Sequence, residues 1–352
     1  MTELLLEQKR GFLELAKKNS TQLEIVFKEC LKATKDEKVL IVGDTGIQNQ
    51  YTSALLSYSY FLATKNLKLR SKMILQKRMN MFGKISDNVI NEIEKMPNGS
   101  IIILNLSNKF AGMGKIGKSF RKFCKKKEHR FVSTTSLGFI ETEKIDKIIN
   151  PLNTDYTFLK KKHDVLKARL DRTNEINIFS VNGTDLLIKK KSVKCHCADG
   201  IYDKYGTGGN LPAGEVYFAP KKVEGRVVID ASSRNKFGTT LINEPIKIDI
   251  KNNHIINISG GKEADLLSKT LELAESRARF PKRVRHIGEI GIGINPKAEV
   301  IGSTIIDEKV LGTAHIGIGS NYWFGGDNKT IVHLDQVFYN PEIILDDELL
   351  KI

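Results

Sequence analysis

Carboxylates and imidazoles recur among glycines in four segments of the chain's second half, and that combination is the chemistry of a metal site. The segments are Gly209-Asn210-Leu211-Pro212-Ala213-Gly214-Glu215-Val216-Tyr217, Ile287-Gly288-Glu289-Ile290-Gly291-Ile292-Gly293, the run from Asp307 through His315 to Gly319, and Ile331-Val332-His333-Leu334-Asp335-Gln336-Val337. If each is a strand, alternate side chains face opposite ways. His333 and Asp335 then share a face, His315 shares one with Gly317 and Gly319, and Glu289 shares one with Gly291 and Gly293. Isoleucines pack behind. Glycine inside a strand costs stability, so its repetition predicts that something approaches the backbone closely there. A single histidine beside an apolar strand is ordinarily a satisfied structural residue. Five such groups together are different. Burying Glu215, Glu289, His315, His333 and Asp335 without partners would cost several kcal/mol each, and a pair of divalent ions would compensate all of them. Imidazole nitrogen and carboxylate oxygen suit zinc, cobalt, manganese or iron, while the lack of cysteine here argues against a closed structural zinc site.

The string Asn210-Leu211-Pro212-Ala213-Gly214-Glu215-Val216, the Gly288-Glu289-Ile290-Gly291 and Gly312-Thr313-Ala314-His315-Ile316 segments, and the His333-Leu334-Asp335 pair resemble the thermophilic aminopeptidases, a family of metallopeptidases. Order and rough spacing match over about residues 176–340; the first half is similar only in its pattern of strands and helices. The resemblance implies metal ligation by Glu215, Glu289, Glu308, His315, His333 and Asp335, with Glu289 bridging two ions. It also implies a catalytic Tyr322 whose hydroxyl points at the reacting carbonyl, and a homodimer. On this reading the chain is a metallo-aminopeptidase, a hydrolase that releases N-terminal residues from peptides. Two divalent ions (zinc, cobalt or manganese) would lower the pKa of a shared water. Glu289 or Glu215 would take its proton, and Tyr322 would stabilise the oxyanion. Trp323 and Phe324 fit either a side-chain pocket or ordinary core packing.

The same superfamily includes a ring-cleaving dioxygenase acting on dihydroxypyridine, of about this length, which holds one iron with two histidines and an aspartate. His315, His333 and Asp335 supply that set as well, so a mononuclear iron(II) dioxygenase is the alternative. The three glutamates favour hydrolysis, because extra carboxylates make sense with a second metal.

Positioning these groups requires a particular order of elements. The first half alternates helices (22–34, about 50–64, 115–127) with apolar strands (38–42, 68–75, 100–106, 130–134). Unbroken apolar strands alternating with helices predict a parallel sheet covered on both faces. Residues 155–172 read as a long polar connecting helix. From Glu175 onward the strands are short and alternating, at 176–181, 186–190, 216–218, 226–229 and 246–250, with Gly, Asn and Asp turns between them. That texture predicts antiparallel sheets, interrupted by one helix at 264–279. The expected organisation is an α/β domain over 1–173, followed by a largely antiparallel α+β metal-binding catalytic domain over 174–352.

Composition narrows the classes. The 352 residues suffice for two domains of ordinary size, and 40% hydrophobic with 28% charged residues is a globular mix. No run of about 18 apolar residues is present, so no membrane-spanning helix is expected. Residues 1–18 read as an amphipathic helix rather than a signal peptide. The four cysteines are scattered, as in a reduced cytoplasm. A net charge of +15 would attract phosphate backbones. No aromatics interleave the basic runs at 125–127 and 189–191, however, so nucleic-acid binding is not expected. Gly112-Met113-Gly114-Lys115-Ile116-Gly117-Lys118-Ser119 satisfies the Walker A pattern between a strand and a helix. A nucleotide-binding protein using this loop is the lesser alternative, because residues 107–111 intervene where a phosphate loop turns at once. Cys195-His196-Cys197 lacks a second ligand pair and reads as structural.

Overall fold

The structure, a computed structural model, describes residues 11–47, 49–79, 83–109, 113–117 and 119–351. Its contacts divide the chain into two compact units: Met1–Tyr156 with Gly200–Ala213, and Thr157–Asp199 with Gly214–Ile352. The strands of the first unit are β1 (Lys38–Asp44), β2 (Arg70–Gln76), β3 (Ile101–Leu106) and β4 (Arg130–Thr135). The second unit then supplies β5 (Glu175–Phe179), β6 (Asp185–Lys189) and β7 (His196–Ala198) before the chain returns to the first for β8 (Gly208–Asn210).

The first unit holds one parallel sheet in the order β2-β1-β3-β4-β8. Every residue of β3 is buried, as strands covered on both faces must be. Helices Thr52–Asn66 and Asp87–Lys95 supply covering faces, the second through Val89, Ile90 and Ile93. Residues 1–10 of the expected amphipathic helix lie outside the described residues, and the helix that follows runs Phe12–Ile25. Gly112 and Lys118 of the Walker-like motif also lie outside them. Ser119 caps helix Phe120–Lys126, its hydroxyl accepting from Lys122 N at 3.3 Å.

The second unit continues with β9 (Glu215–Phe218), β10 (Lys222–Ile229), β11 (Ser232–Asn235), β12 (Gly238–Leu241), β13 (Ile246–Lys251) and β14 (His254–Ser259). After helix Lys262–Arg277 come β15 (Ile287–Gly293), β16 (Thr313–Gly319), β17 (His333–Tyr339), β18 (Glu342–Leu345) and β19 (Glu348–Leu349). They form two seven-stranded antiparallel sheets, β14-β13-β10-β6-β5-β18-β19 and β12-β11-β17-β16-β15-β9-β7. The parallel sheet followed by antiparallel ones is the architecture the sequence pattern implies.

One expected strand is two. The segment from Gly209 to Tyr217 splits: Gly208–Asn210 pairs with β4, and Glu215–Phe218 pairs with β15. Pro212 has no N–H to continue a ladder, and Gly214 turns the chain at φ 131°. Among the described residues, no helix is long and apolar enough to cross a membrane.

Candidate metal centre

Strands β9, β15, β16 and β17 lie side by side, and their register alternates ionisable residues with glycines across the sheet. Glu215 pairs with Gly293, His315 with Gly291, and His333 with Gly319. Gly317 stands between Glu289 on one side and Asp335 on the other. A Cβ at Gly291 would lie 2.1 Å from His315 Cε1, and one at Gly317 only 2.7 Å from Glu289 Cβ. The close approach that the glycines permit is therefore that of the neighbouring strands' imidazoles and carboxylates. Isoleucines on the opposite face anchor the strands: Ile290, Ile292, Ile316 and Ile318 are all buried.

The functional groups form a line of alternating charge. Nε2 of His333 lies 3.0 Å from Asp335 Oδ1 and 3.4 Å from Glu289 Oε2. The other oxygen of Glu289 is 3.3 Å from Nε2 of His315, which is in turn 3.6 Å from Glu215 Oε2. Lys309, 1% exposed, completes the line by giving its ammonium to both Glu215 and Glu308. Helix Thr304–Asp307 delivers Glu308 at its C-terminal end, while Asp307 turns away to accept from Ile301 N at 2.8 Å. His333 donates from Nδ1 to Ser320 O at 2.8 Å, which leaves Nε2 to face the carboxylates.

Electrostatics follow from burial among acids. Burial opposes the charge on His315, but hydrogen-bonded Glu289 and the charges of Glu215 and Asp335 outweigh it and push the pKa up to about 9. Burial also opposes His333, which Asp335 and Glu289 push up to about 10. At Lys309 burial again opposes the charge, and Glu215 and Glu308 more than reverse it. Burial pushes the Glu215 carboxyl up, to about 8, while Lys309 pulls it back. At contact distance, the ion pair is the form we assign.

The structure thus brings together all six residues expected to ligate metal. Ligand atoms of Glu289, His333 and Asp335 lie within 4.8 Å of one another, and so do those of Glu215, Glu308 and His315. His315 therefore groups with the two other glutamates, and Glu289 stands in the place expected of it beside His333 and Asp335. Each group offers one imidazole nitrogen and carboxylate oxygens, a donor set that fits a divalent cation. The buried Glu215 Oε2 and His315 Nδ1 have no hydrogen-bond partner among the described residues. Tyr322 is half exposed, held edge-on by Trp323 at 5.6 Å with the Lys329 ammonium 5.0 Å from its ring. Its hydroxyl makes no hydrogen bond to the six among the described residues. Trp323 packs edge-on against His333 at 4.9 Å and remains about half exposed, whereas Phe324 is buried. In Cys195-His196-Cys197, burial pushes both thiols up to about 12 and His196 Nε2 meets Phe324 O at 2.9 Å, in keeping with a structural strand.

Two cations were not apparent from sequence. Lys309 follows Glu308 and looks like any surface charge. Arg234, on β11, is buried and feels the charges of Asp335 and Glu308. The Lys309 ammonium contacts Glu215 and Glu308, and the guanidinium of Arg234 adds to the field at Asp335 and Glu308.

Comparison with known proteins shows what the chain resembles in sequence and in fold. Residues 142–351 match the family described as NicX: 2,5-dihydroxypyridine 5,6-dioxygenase. A 2,5-dihydroxypyridine 5,6-dioxygenase of Pseudomonas putida is 26% identical over 200 residues, 53% of this chain and 56% of that protein. The aligned stretch thus spans little more than half the length of this curated relative. The solved structure of the Pseudomonas putida dihydroxypyridine dioxygenase superposes with a TM-score of 0.70 at 18% identity, covering 96% of each chain. Wild-type AmpT from Thermus thermophilus superposes at 0.61 and 15% identity, over 93% of this chain and 94% of its own. At those identities both structures show a shared fold alone. The expectation of a peptide-cleaving hydrolase, an aminopeptidase or protease, is overturned by the family match. Of the three glutamates that argued for a second ion, Glu215 and Glu308 are already met by Lys309, and Glu289 by His315 and His333. With more than half of its length matched, the chain belongs to the 2,5-dihydroxypyridine 5,6-dioxygenase (NicX) family.

Proposed function

We propose that the chain is a ring-cleaving dioxygenase that uses one non-haem iron(II) and acts on a dihydroxylated pyridine or a close heteroaromatic relative. The observation that carries this reading is the donor group of one imidazole and two carboxylates at Glu289, His333 and Asp335, in a chain that matches the dioxygenase family over residues 142–351. Glu289, His333 and Asp335 would hold the ion. When bound, iron(II) supplies the redox capacity to combine dioxygen with an electron-rich ring. His333 presents Nε2 because Ser320 O fixes Nδ1, and His315 steadies Glu289 by donating to Oε1. Trp323, beside His333 and partly exposed, offers an aromatic face against which a flat substrate can lie. The buried strands behind the centre keep water from its inner side.

An oxygen electrode tests this. Protein reconstituted with iron(II) and given 2,5-dihydroxypyridine is expected to consume oxygen as the ring absorbance disappears, and Asp335→Asn is expected to do neither. No oxygen uptake with any dihydroxylated pyridine or benzene, at full iron occupancy, would refute the proposal.

A further inference from the structure

We infer that Lys309 is a built-in cation standing where a second metal ion would stand, and that Glu215, Glu308 and His315 form a latent metal site which loss of the Lys309 ammonium opens. Two donor groups of the same composition, one imidazole and two carboxylates, lie on either side of the Glu289–His315 contact. They differ in one respect. The group of Glu215, Glu308 and His315 contains an ammonium touching both carboxylates, whereas in the other group it is the His333 imidazole that lies between Glu289 and Asp335. An ammonium carries a single charge, binds no substrate oxygen and cannot leave, so it holds the two glutamates apart without acting as a Lewis acid. An ordinary buried ion pair would need one carboxylate. Here one cation serves two, with an imidazole beside them whose Nδ1 and whose neighbouring Glu215 Oε2 lack hydrogen bonds. That surplus of donors is what a divalent ion would use and a lysine does not.

The inference rests on the one-ion reading above in the number of ions only, and not on the substrate. It is tested by counting metal, without substrate or oxygen. Metal-free protein is titrated with Zn2+ by calorimetry, and bound metal is measured by elemental analysis after gel filtration. Wild type is expected to saturate at one ion per chain. Glu215→Gln should keep that ion, and Asp335→Asn should lose it. Lys309→Met, which keeps the length of the side chain but not its charge, should take up two ions, and Lys309→Met combined with Glu215→Gln should return to one. If Lys309→Met does not fold in the absence of metal, saturating Zn2+ should restore its thermal transition. Two ions in the wild type, a folded Lys309→Met that binds only one, or a Lys309→Met that stays unfolded in zinc would each overturn the inference. A failed oxygen assay would leave these counts unchanged, so the two readings fall separately.

Discussion

A single methyl group added at Gly317 would sit 2.7 Å from Glu289 Cβ and 3.0 Å from His333 Cε1. Crowding of this kind costs about 1–3 kcal/mol. If the strain falls on the two ligating side chains, Gly317→Ala should weaken ion binding roughly 10- to 100-fold while the strands stay paired. Competition against a chelator, with circular dichroism as the control for folding, measures this; unchanged affinity would mean that the glycines serve something other than the ligands. The alternation of ionisable residue and glycine was legible in the sequence because strands have a period of two and isoleucines mark the other face. What approaches those glycines was not legible, since it depends on which strand lies alongside. Lys309 and Arg234 escaped for the same reason: nothing within their own segments tells that both are buried against acids.

At the scale of elements, β11 joins β17 at only two residue pairs, Ser232 with Val337 and Ser233 with Gln336. Gln336, fully buried, clamps that short junction. Its Oε1 accepts from Ser233 Oγ at 2.6 Å, and its Nε2 donates to Arg234 O at 3.0 Å. Gln336→Leu would strand those groups without partners at a cost of about 2–3 kcal/mol. Urea denaturation should show that loss, and a change under half of it would mean that the backbone pairs suffice. The position of β17 could be read from its alternating pattern. Its neighbour β11, four polar residues reading Ser-Ser-Arg-Asn, carried no such pattern, and neither did the three-residue strand β8. Strands that short are defined by what they pair with, so sequence periodicity cannot reveal them.

For the whole molecule, titration runs in opposite directions at different places. Burial lowers His129 in the first unit and His286 in the second to about 4, from an ordinary 6.5. Below pH 6.5 the unfolded chain therefore binds more protons than the folded one, and stability is lost as pH falls toward 4. Each neutral imidazole accounts for on the order of 2–3 kcal/mol of that loss. His315 and His333, raised to about 9 and 10, work the other way. Their contribution in the metal-free protein is complete below pH 6.5 and disappears as pH rises through 9 to 10. Denaturation midpoints of the metal-free protein should thus fall on both sides of neutrality. Saturating zinc should flatten the part of the alkaline side that comes from His333, because the ion takes the place of its proton. An alkaline limb unchanged by zinc would argue that His333 does not meet the ion.

The return of the chain to the first unit sets an order of events during synthesis. Strand β8 is made after β5, β6 and β7, so the parallel sheet lacks its last strand while much of the protein is still to come. Until Gly208–Asn210 leaves the ribosome, the backbone groups of Phe131, Val132 and Ser133 that it will pair with lie along an open edge. An open strand edge invites the wrong partner, including the same edge of another nascent copy. Crowded translation of this message is therefore where the fold is most exposed to error, and slow elongation past the β4 codons would lengthen that interval.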